Sequence, residues 1–169
     1  MTFEADSKRG VLQHYGVRTT NQSYGGVQET GVVKTVSLEF TAPAQGMAAA
    51  AWAKNGLDVV IPAGCSFVSA RVVVETAFDA LTALTIGTYN ASDGTTAIDA
   101  DGLVTAAGSA LATIDAVGDV LVGAGAQLAT GTAGLGALLV DAVIRVLYTG
   151  SAPTVGKARL VVEYMSKTA

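Results

Sequence analysis

The sequence has few of the residues on which active sites and metal centres usually depend. Its 169 residues include one cysteine, Cys65, and one histidine, His14. A single cysteine excludes an intrachain disulfide, and this pair cannot build the usual zinc sites, which need about four Cys, His or carboxylate ligands. A catalytic triad needs a base beside its nucleophile, and His14 lies in an aperiodic segment where a surface role is expected. We therefore expect no enzyme activity, no metal and no cofactor.

The chain is also poor in charge. Only 14% of the residues are charged, 50% are hydrophobic, and the formal net charge is -4. The acidic balance argues against a nucleic-acid partner, because phosphates require a basic face. A surface with so few charges favours coverage by other subunits; the alternative is a soluble surface rich in Gly and Thr.

Two segments that could have pointed to a membrane or to export lack the required pattern. The weakly charged stretch 103–140 is interrupted by Asp115, Asp119 and many glycines, so it does not predict a membrane span. The opening residues MTFEADSKRG are charged and lack the apolar core of a secretory signal. We expect a protein that is made in a cytoplasm and has no membrane partner.

The stretch 59–89 predicts a central pair of strands that the rest of the chain covers. Its alternation places one set of residues on a buried face, namely Val68, Ala70, Val72, Val74, Thr76 and Phe78. Arg71 and Glu75 fall on the opposite, wet face. After a short break, residues 84–89 predict the second strand of the pair, and the Asp93-Gly94 step predicts a turn after it.

The remaining segments predict further short strands. Residues 32–41 alternate in the same way, and 57–61 leads into the central pair. The chain ends in a predicted hairpin, with strands at 143–148 and 157–165 joined by the turn 150–156. An alanine-rich stretch at 45–55 favours either a short helix or a loop anchored by Trp52, and one helical turn is possible near 104–112. The fold class predicted is an all-β, antiparallel β-sandwich, jelly-roll-like, with at most one or two short helices.

Residues 1–31 are predicted to form an extended N-terminal arm, and residues 32–169 the sandwich domain. The arm contains many glycines and no sustained period, yet it carries too many apolar anchors for a pure linker. We expect it to dock on a neighbouring subunit; the alternative is a flexible terminus. The predicted contact residues are Tyr15, Val17, Arg18, Tyr24 and Val27.

Two patterns that suggest ligand sites are better explained as turns. The carboxylates of Asp93, Asp99 and Asp101 do not follow the ligand order of an EF-hand and lack its closing glutamate. The glycine-rich stretch 131–136 matches neither the dinucleotide nor the Walker pattern, and no Lys-Ser/Thr follows it.

Four runs within about residues 59–165 carry a resemblance to a known class of proteins: IPAGCSFVSARVVVETAFDALTALTIGTYNASDGTT, DADGLVTAA, GDVLVGAGAQL and VIRVLYTGSAPTVGKARLVVEYM. In these runs the sequence resembles small virion proteins of tailed bacteriophages, namely head decoration (cement) proteins and related minor structural proteins. The earlier run HYGVRTTNQSYGG is similar to the arm of a phage structural protein, though less specifically.

That resemblance implies a structural protein on the exterior of a capsid, made in the host cytoplasm. It implies a homotrimer whose partners are the major capsid protein and neighbouring copies of itself, and which holds neighbouring capsid subunits together. The alternative is a tail or fibre module, or a receptor- or carbohydrate-binding β-sandwich. A surface cluster of aromatic side chains for stacking on sugars would distinguish that class.

Overall fold

The computed structural model describes residues 14–15, 26–30, 33–42, 47–48, 59–108, 114–128 and 137–166. Within these ranges the chain forms eleven β-strands and one short 3-10 helix at Ala106–Gly108. The strands are β1 His14–Tyr15, β2 Gly26–Thr30, β3 Val33–Thr41, β4 Met47–Ala48, β5 Val60–Ile61, β6 Cys65–Thr76, β7 Ala83–Asn90, β8 Ala97–Val104, β9 Val120–Val122, β10 Ala142–Thr149 and β11 Lys157–Ser166. None of the helical structure in the described ranges has the length and apolar character of a membrane span.

The strands form two sheets with nested pairing. The larger sheet has the order β1-β2-β3-β11-β6-β9, and the smaller one has β4-β10-β7-β8 with β5 also pairing with β10. The pairs are nested along the chain. From the outermost pair inwards, β3 pairs with β11, β4 and β5 pair with β10, β6 pairs with β9, and β7 pairs with β8. All these pairs are antiparallel except β4 with β10. First-with-last pairing across two sheets is the arrangement of a jelly roll, so the predicted fold class is confirmed.

One hydrophobic cluster fills the space between the sheets. Both sheets contribute to it, with Val36, Phe40, Val72, Val74, Leu160 and Val162 from the larger sheet and Leu84, Ile86, Ile144 and Val146 from the smaller. The rings of Phe40 and Phe78 stack with centroids 6.1 Å apart. Alternate residues of each strand therefore supply the core, as the period of two predicts.

The predicted register of β6 is confirmed in its centre and wrong near both ends. Val72 and Val74 are buried, whereas Val68 and Thr76 are exposed although the alternation placed them on the buried face. The pairing of β6 with β11 explains this difference, because Val68 and Glu75 have no partner residue in β11. Each of these β-bulges adds one residue to β6 and so reverses which face the next residues occupy.

The predicted strand pairs are wrong in one respect. β6 and β7 lie in different sheets, and so do β10 and β11, so neither pair is a hairpin. Both connections, 77–82 and 150–156, cross from one sheet to the other. The two connections are joined to each other, because Thr154 and Val155 donate backbone N–H groups to Asp79 Oδ1 at 2.9 and 3.1 Å.

Strand β10 is buried on both faces. Val143 and Arg145 point away from the core, yet they are only 0% and 2% exposed. Val143 packs with Tyr89 and Ala91 in a second, smaller cluster. The alternation of apolar and polar residues here therefore does not mark a wet face.

The two predicted helical regions are observed only in part. The 3-10 helix Ala106–Gly108 lies within the region where one helical turn was possible. In the region 45–55, Met47–Ala48 forms strand β4, and Trp52 lies outside the described residues.

Candidate interaction surface

Two of the five predicted contact residues lie in strands at the edge of the larger sheet. β1 pairs with β2 so that Tyr15 is opposite Val27, and β2 pairs with β3 so that Val27 is opposite Val36. Val17, Arg18 and Tyr24 lie outside the described residues. The docking of these residues on a neighbouring subunit stays a prediction, as does the domain boundary at residue 31.

The outer face of the larger sheet carries a network of four charges. Lys157 Nζ lies 2.8 Å from Glu75 Oε2 and 3.3 Å from Glu39 Oε2. Arg159 lies 3.0 Å from Glu75 through Nε and 3.2 Å from Glu39 through Nη2. Three neighbouring strands position these side chains, because Arg159 is opposite Glu39 on β3 and Val73 on β6. The two cations and two carboxylates neutralise each other on this part of the face.

The network shifts the pKa values of two of its members, Glu75 and Lys157. The ammonium of Lys157, with help from Arg159, holds the pKa of Glu75 below its usual value. Glu75 and then Glu39 raise the pKa of Lys157. These side chains are partly exposed, so each pair adds little to the free energy of folding.

Beside this network lies an apolar patch that we name the valine surface. It consists of Val73, Val120, Val122 and Val161, arranged around Arg71. Register places them side by side, because Val73 is opposite Val120, and Arg71 is opposite both Val122 and Val161. Val120 and Val122 are 56% and 66% exposed. Val73 and Val161 are half-buried. Contiguous apolar exposure of this kind makes the patch a candidate contact surface.

Sequence reasoning did not find the valine surface. Its residues come from β6, β9 and β11, which are far apart in the chain and meet only in the folded sheet. The run Val120-Leu121-Val122 is continuously apolar, and such a run predicts a strand buried on both faces. In the structure only Leu121 is buried, because β9 lies at the end of the larger sheet.

Arg71 differs from the other cations of this face. Within the part of the chain that the structure describes, its side chain has no hydrogen bond or ion pair, whereas Lys157 and Arg159 are both paired. The neighbouring carboxylate, Glu163, accepts a hydrogen bond from Ser69 Oγ at 2.7 Å. The valine surface thus combines exposed apolar area with one cation that lacks a carboxylate.

A second exposed apolar group lies at one end of the sandwich. We name it the Leu139 tip and define it as Val60, Leu139, Val140 and Asp141. Leu139 is 93% exposed, Val140 42% and Val60 38%. The tip is held in place because Asp141 Oδ1 accepts a hydrogen bond from the backbone N–H of Ala63 at 2.9 Å. Val60 joins it through its pairing with Val143 at the start of β10.

Three observations on the described residues concern metal binding, the cysteine and the predicted turn at Asp93. Among them, no group of three or more His, Cys, Asp or Glu side chains could hold a metal ion. Cys65 is buried in the core. Asp93 acts as a turn former, since its carboxylate accepts hydrogen bonds from Thr96 Oγ1 and from the backbone of Thr95 and Thr96. The side-chain hydrogen bond from Thr96, followed by the backbone bonds, lowers the pKa of Asp93 to about 2.

Comparison with known proteins yields one structural match. No protein-family model matches the sequence, and no curated protein does. A solved structure entitled "Capsid of Ralstonia phage GP4" matches 80% of this chain and 86% of that chain, with 14% sequence identity and a TM-score of 0.47. A similarity this low decides neither the fold nor the function of this chain.

Proposed function

We propose that this protein is a structural protein of a bacteriophage virion that decorates the capsid and bridges neighbouring capsid subunits. The observation that carries the proposal is the valine surface, an exposed apolar patch on the outer face of a β-sandwich. Burial against another subunit, either a capsid protein or a further copy of this chain, would remove these valines from water. The resemblance of residues 59–165 to phage head decoration proteins supports a capsid as the assembly in which this burial takes place.

The architecture suits such a role. Most of the described chain is hydrogen-bonded into two sheets around one core, so an interface built on the strands is held rigidly. A rigid surface loses little conformational entropy on binding, which leaves more of the contact energy available for attachment. Contacts that are individually weak add together when one decorating unit reaches several capsid subunits.

The proposed working form is a homo-oligomer, with a trimer as the simplest state for a site of three-fold symmetry on the capsid exterior. Its partners are the major capsid protein and other copies of the chain. The low charge supports this form, because 14% charged residues leave much of a single domain's surface without ionic groups. The proposal requires no enzyme activity and no cofactor.

A tail, receptor-binding or carbohydrate-binding module is the alternative. Such a module would present aromatic side chains to its ligand. Wherever the structure describes the surroundings of a Phe or Tyr side chain, that side chain is buried or half-buried; these are Phe40, Phe67, Phe78, Tyr89, Tyr148 and Tyr164. We therefore prefer the decorating role.

Co-sedimentation with capsids tests the proposal. Purified protein is mixed with shells stripped of accessory proteins, taken from the phage that carries the gene, and centrifuged beside tails from the same phage. We expect saturable binding to shells, with a copy number set by the capsid lattice, and no binding to tails. Binding to tails alone, or to neither particle, would contradict the proposal.

A further inference from the structure

Arg71 limits what can cover the valine surface. A partner that buried the valines would also take the Arg71 guanidinium out of water, and an unpaired buried charge is strongly destabilising. The partner must therefore bring a carboxylate to this position. Arginine surrounded by apolar contacts is also a common centre of binding energy in protein interfaces.

A second copy of this chain can supply that carboxylate. On the outer face of the larger sheet, Glu39 and Glu75 are paired with cations, and Glu163 accepts a hydrogen bond from Ser69. Outside the strands of that sheet, the described residues include seven aspartates and one basic residue, Arg145, which is buried. The aspartates are Asp79, Asp93, Asp99, Asp101, Asp115, Asp119 and Asp141. The described part of each copy outside this sheet is thus acidic, which complements an unpaired Arg71.

Of these aspartates, Asp141 also lies beside exposed apolar side chains that are separate from the valine surface. It follows Leu139 and Val140 directly, and it uses Oδ1 for the hydrogen bond with Ala63. The carboxylates of Asp79 and Asp93 are instead held by several hydrogen bonds within their own loops. Asp141 therefore combines a carboxylate with an apolar projection.

We propose that the Leu139 tip of one copy packs on the valine surface of the next copy, with Asp141 meeting Arg71. The leucine would sit among the valines while the carboxylate satisfies the cation, so that neither copy buries an unpaired charge. This inference rests on the proposed homo-oligomer and names the surfaces that build it. The two surfaces are different, so the contact is head-to-tail. It forms a closed ring when the rotation between successive copies brings the last copy into contact with the first.

Both surfaces offer exposed apolar side chains for such a contact. A standard interface buries roughly 800 Å² on each partner, a little over half of it apolar. Val120 and Val122 are more than half exposed, and Val117, in the turn before β9, is 71% exposed. Together with the half-buried valines they supply much of the apolar share on one side, and Leu139, Val140 and Val60 contribute to the other.

Sedimentation of the purified protein tests the inference without virions. We expect the wild type to form a homo-oligomer at micromolar concentration. Val122→Asp and Leu139→Asp should each weaken association by at least about tenfold, as loss of a central apolar contact does. Val155→Asp is the matched control, because Val155 is 50% exposed on a connecting loop outside both surfaces and should leave association unchanged. Circular dichroism melts verify that each variant is folded.

Charge variants and one mixture of variants test the pairing itself. Arg71→Asp and Asp141→Asn should each weaken association, because each removes one member of the charge pair, while asparagine at 141 keeps a side-chain oxygen that can accept the hydrogen bond from Ala63. The Val122→Asp protein keeps an intact Leu139 tip, and the Leu139→Asp protein keeps an intact valine surface. A mixture of the two should therefore form heterodimers through one head-to-tail contact.

Three outcomes would overturn the inference. The first is a wild type that stays a 16.9 kDa monomer at this concentration. The second is loss of association in Val122→Asp but not in Leu139→Asp, which would indicate a two-fold contact between valine surfaces. The third is association that neither Arg71→Asp nor Asp141→Asn weakens. Binding to shells is measured in a separate experiment. The contact between copies can therefore be refuted while the proposed function is supported, and the proposed function can be refuted while the contact between copies is supported.

Discussion

The bulge at Val68 predicts that two valines of the same strand contribute very differently to stability. Val72 is fully buried in β6, opposite Leu160 on one side and Leu121 on the other. Val68 is four residues earlier, and uninterrupted alternation would place it on the same face, but it is 41% exposed. Substituting alanine at each position changes the same atoms in the same strand. The comparison therefore isolates burial from the preference of valine for β-structure.

The expected magnitudes follow from the atoms removed. Val72→Ala deletes two methyl-sized groups from the core, worth about 0.8 kcal/mol each in transfer free energy, and leaves a cavity between the sheets. We expect the free energy of unfolding to fall by about 2–3 kcal/mol. Val68→Ala removes groups that are largely in water already, and we expect a loss below about 1 kcal/mol.

Urea denaturation followed by circular dichroism measures both losses. The midpoint should move strongly for Val72→Ala and little for Val68→Ala, with the same dependence on urea concentration in all three proteins. One protein concentration must be used throughout, because self-association adds to apparent stability. Equal losses at the two positions would mean that β6 alternates without a bulge, and the register described here would be wrong.

Three other predictions concern close packing, pH and the N-terminal segment. Gly87→Ala should lower the free energy of unfolding by about 1–3 kcal/mol, because the added Cβ would collide with the backbone carbonyl of Asp99; an unchanged thermal melt would contradict that contact. The hydrogen bond from the Thr154 hydroxyl, followed by the backbone hydrogen bonds from Val155 and Thr154, lowers the pKa of Asp79 from 3.8 to about 2. Because this pKa is lower in the folded than in the unfolded protein, the ionised carboxylate stabilises the fold at pH values above the unfolded-state pKa. That stability is lost as pH falls from near 4 towards 2. The wild type should therefore lose more melting temperature over this interval than Asp79→Asn, and parallel curves would refute it. Removing residues 1–25 leaves β2 intact, so the melt should change little while co-sedimentation with shells weakens; unchanged binding would exclude a role for the arm.

The sequence predicted the elements that have one buried and one wet face. Val72 and Val74 alternate with polar or half-buried neighbours, and the residues from Ala158 to Tyr164 do the same, so a period of two located both strands correctly. The bulges could not be predicted, because one inserted residue leaves the composition of the strand unchanged. Burial of Arg145 was equally hidden, since an arginine among apolar residues normally marks an exposed position.

The interaction surface was harder to predict than the fold. Val73, Val120 and Val161 are each unremarkable in their own strand, and only the pairing of β6 with β9 and β11 brings them together. Which consecutive strands share a sheet was also beyond the sequence, because a connection of six or seven residues can close a hairpin or cross between sheets. The low proportion of charged residues predicted that a partner covers part of the surface, but it did not indicate which residues make the contact.

A cryo-electron microscopy map of virions from the phage that carries the gene tests the central claim most directly. The account predicts density for this jelly roll on the capsid exterior, grouped around three-fold positions, with the larger sheet of each copy in contact with a neighbouring copy. Virions whose shells lack this density, or a map that places the protein on the tail, would contradict the account.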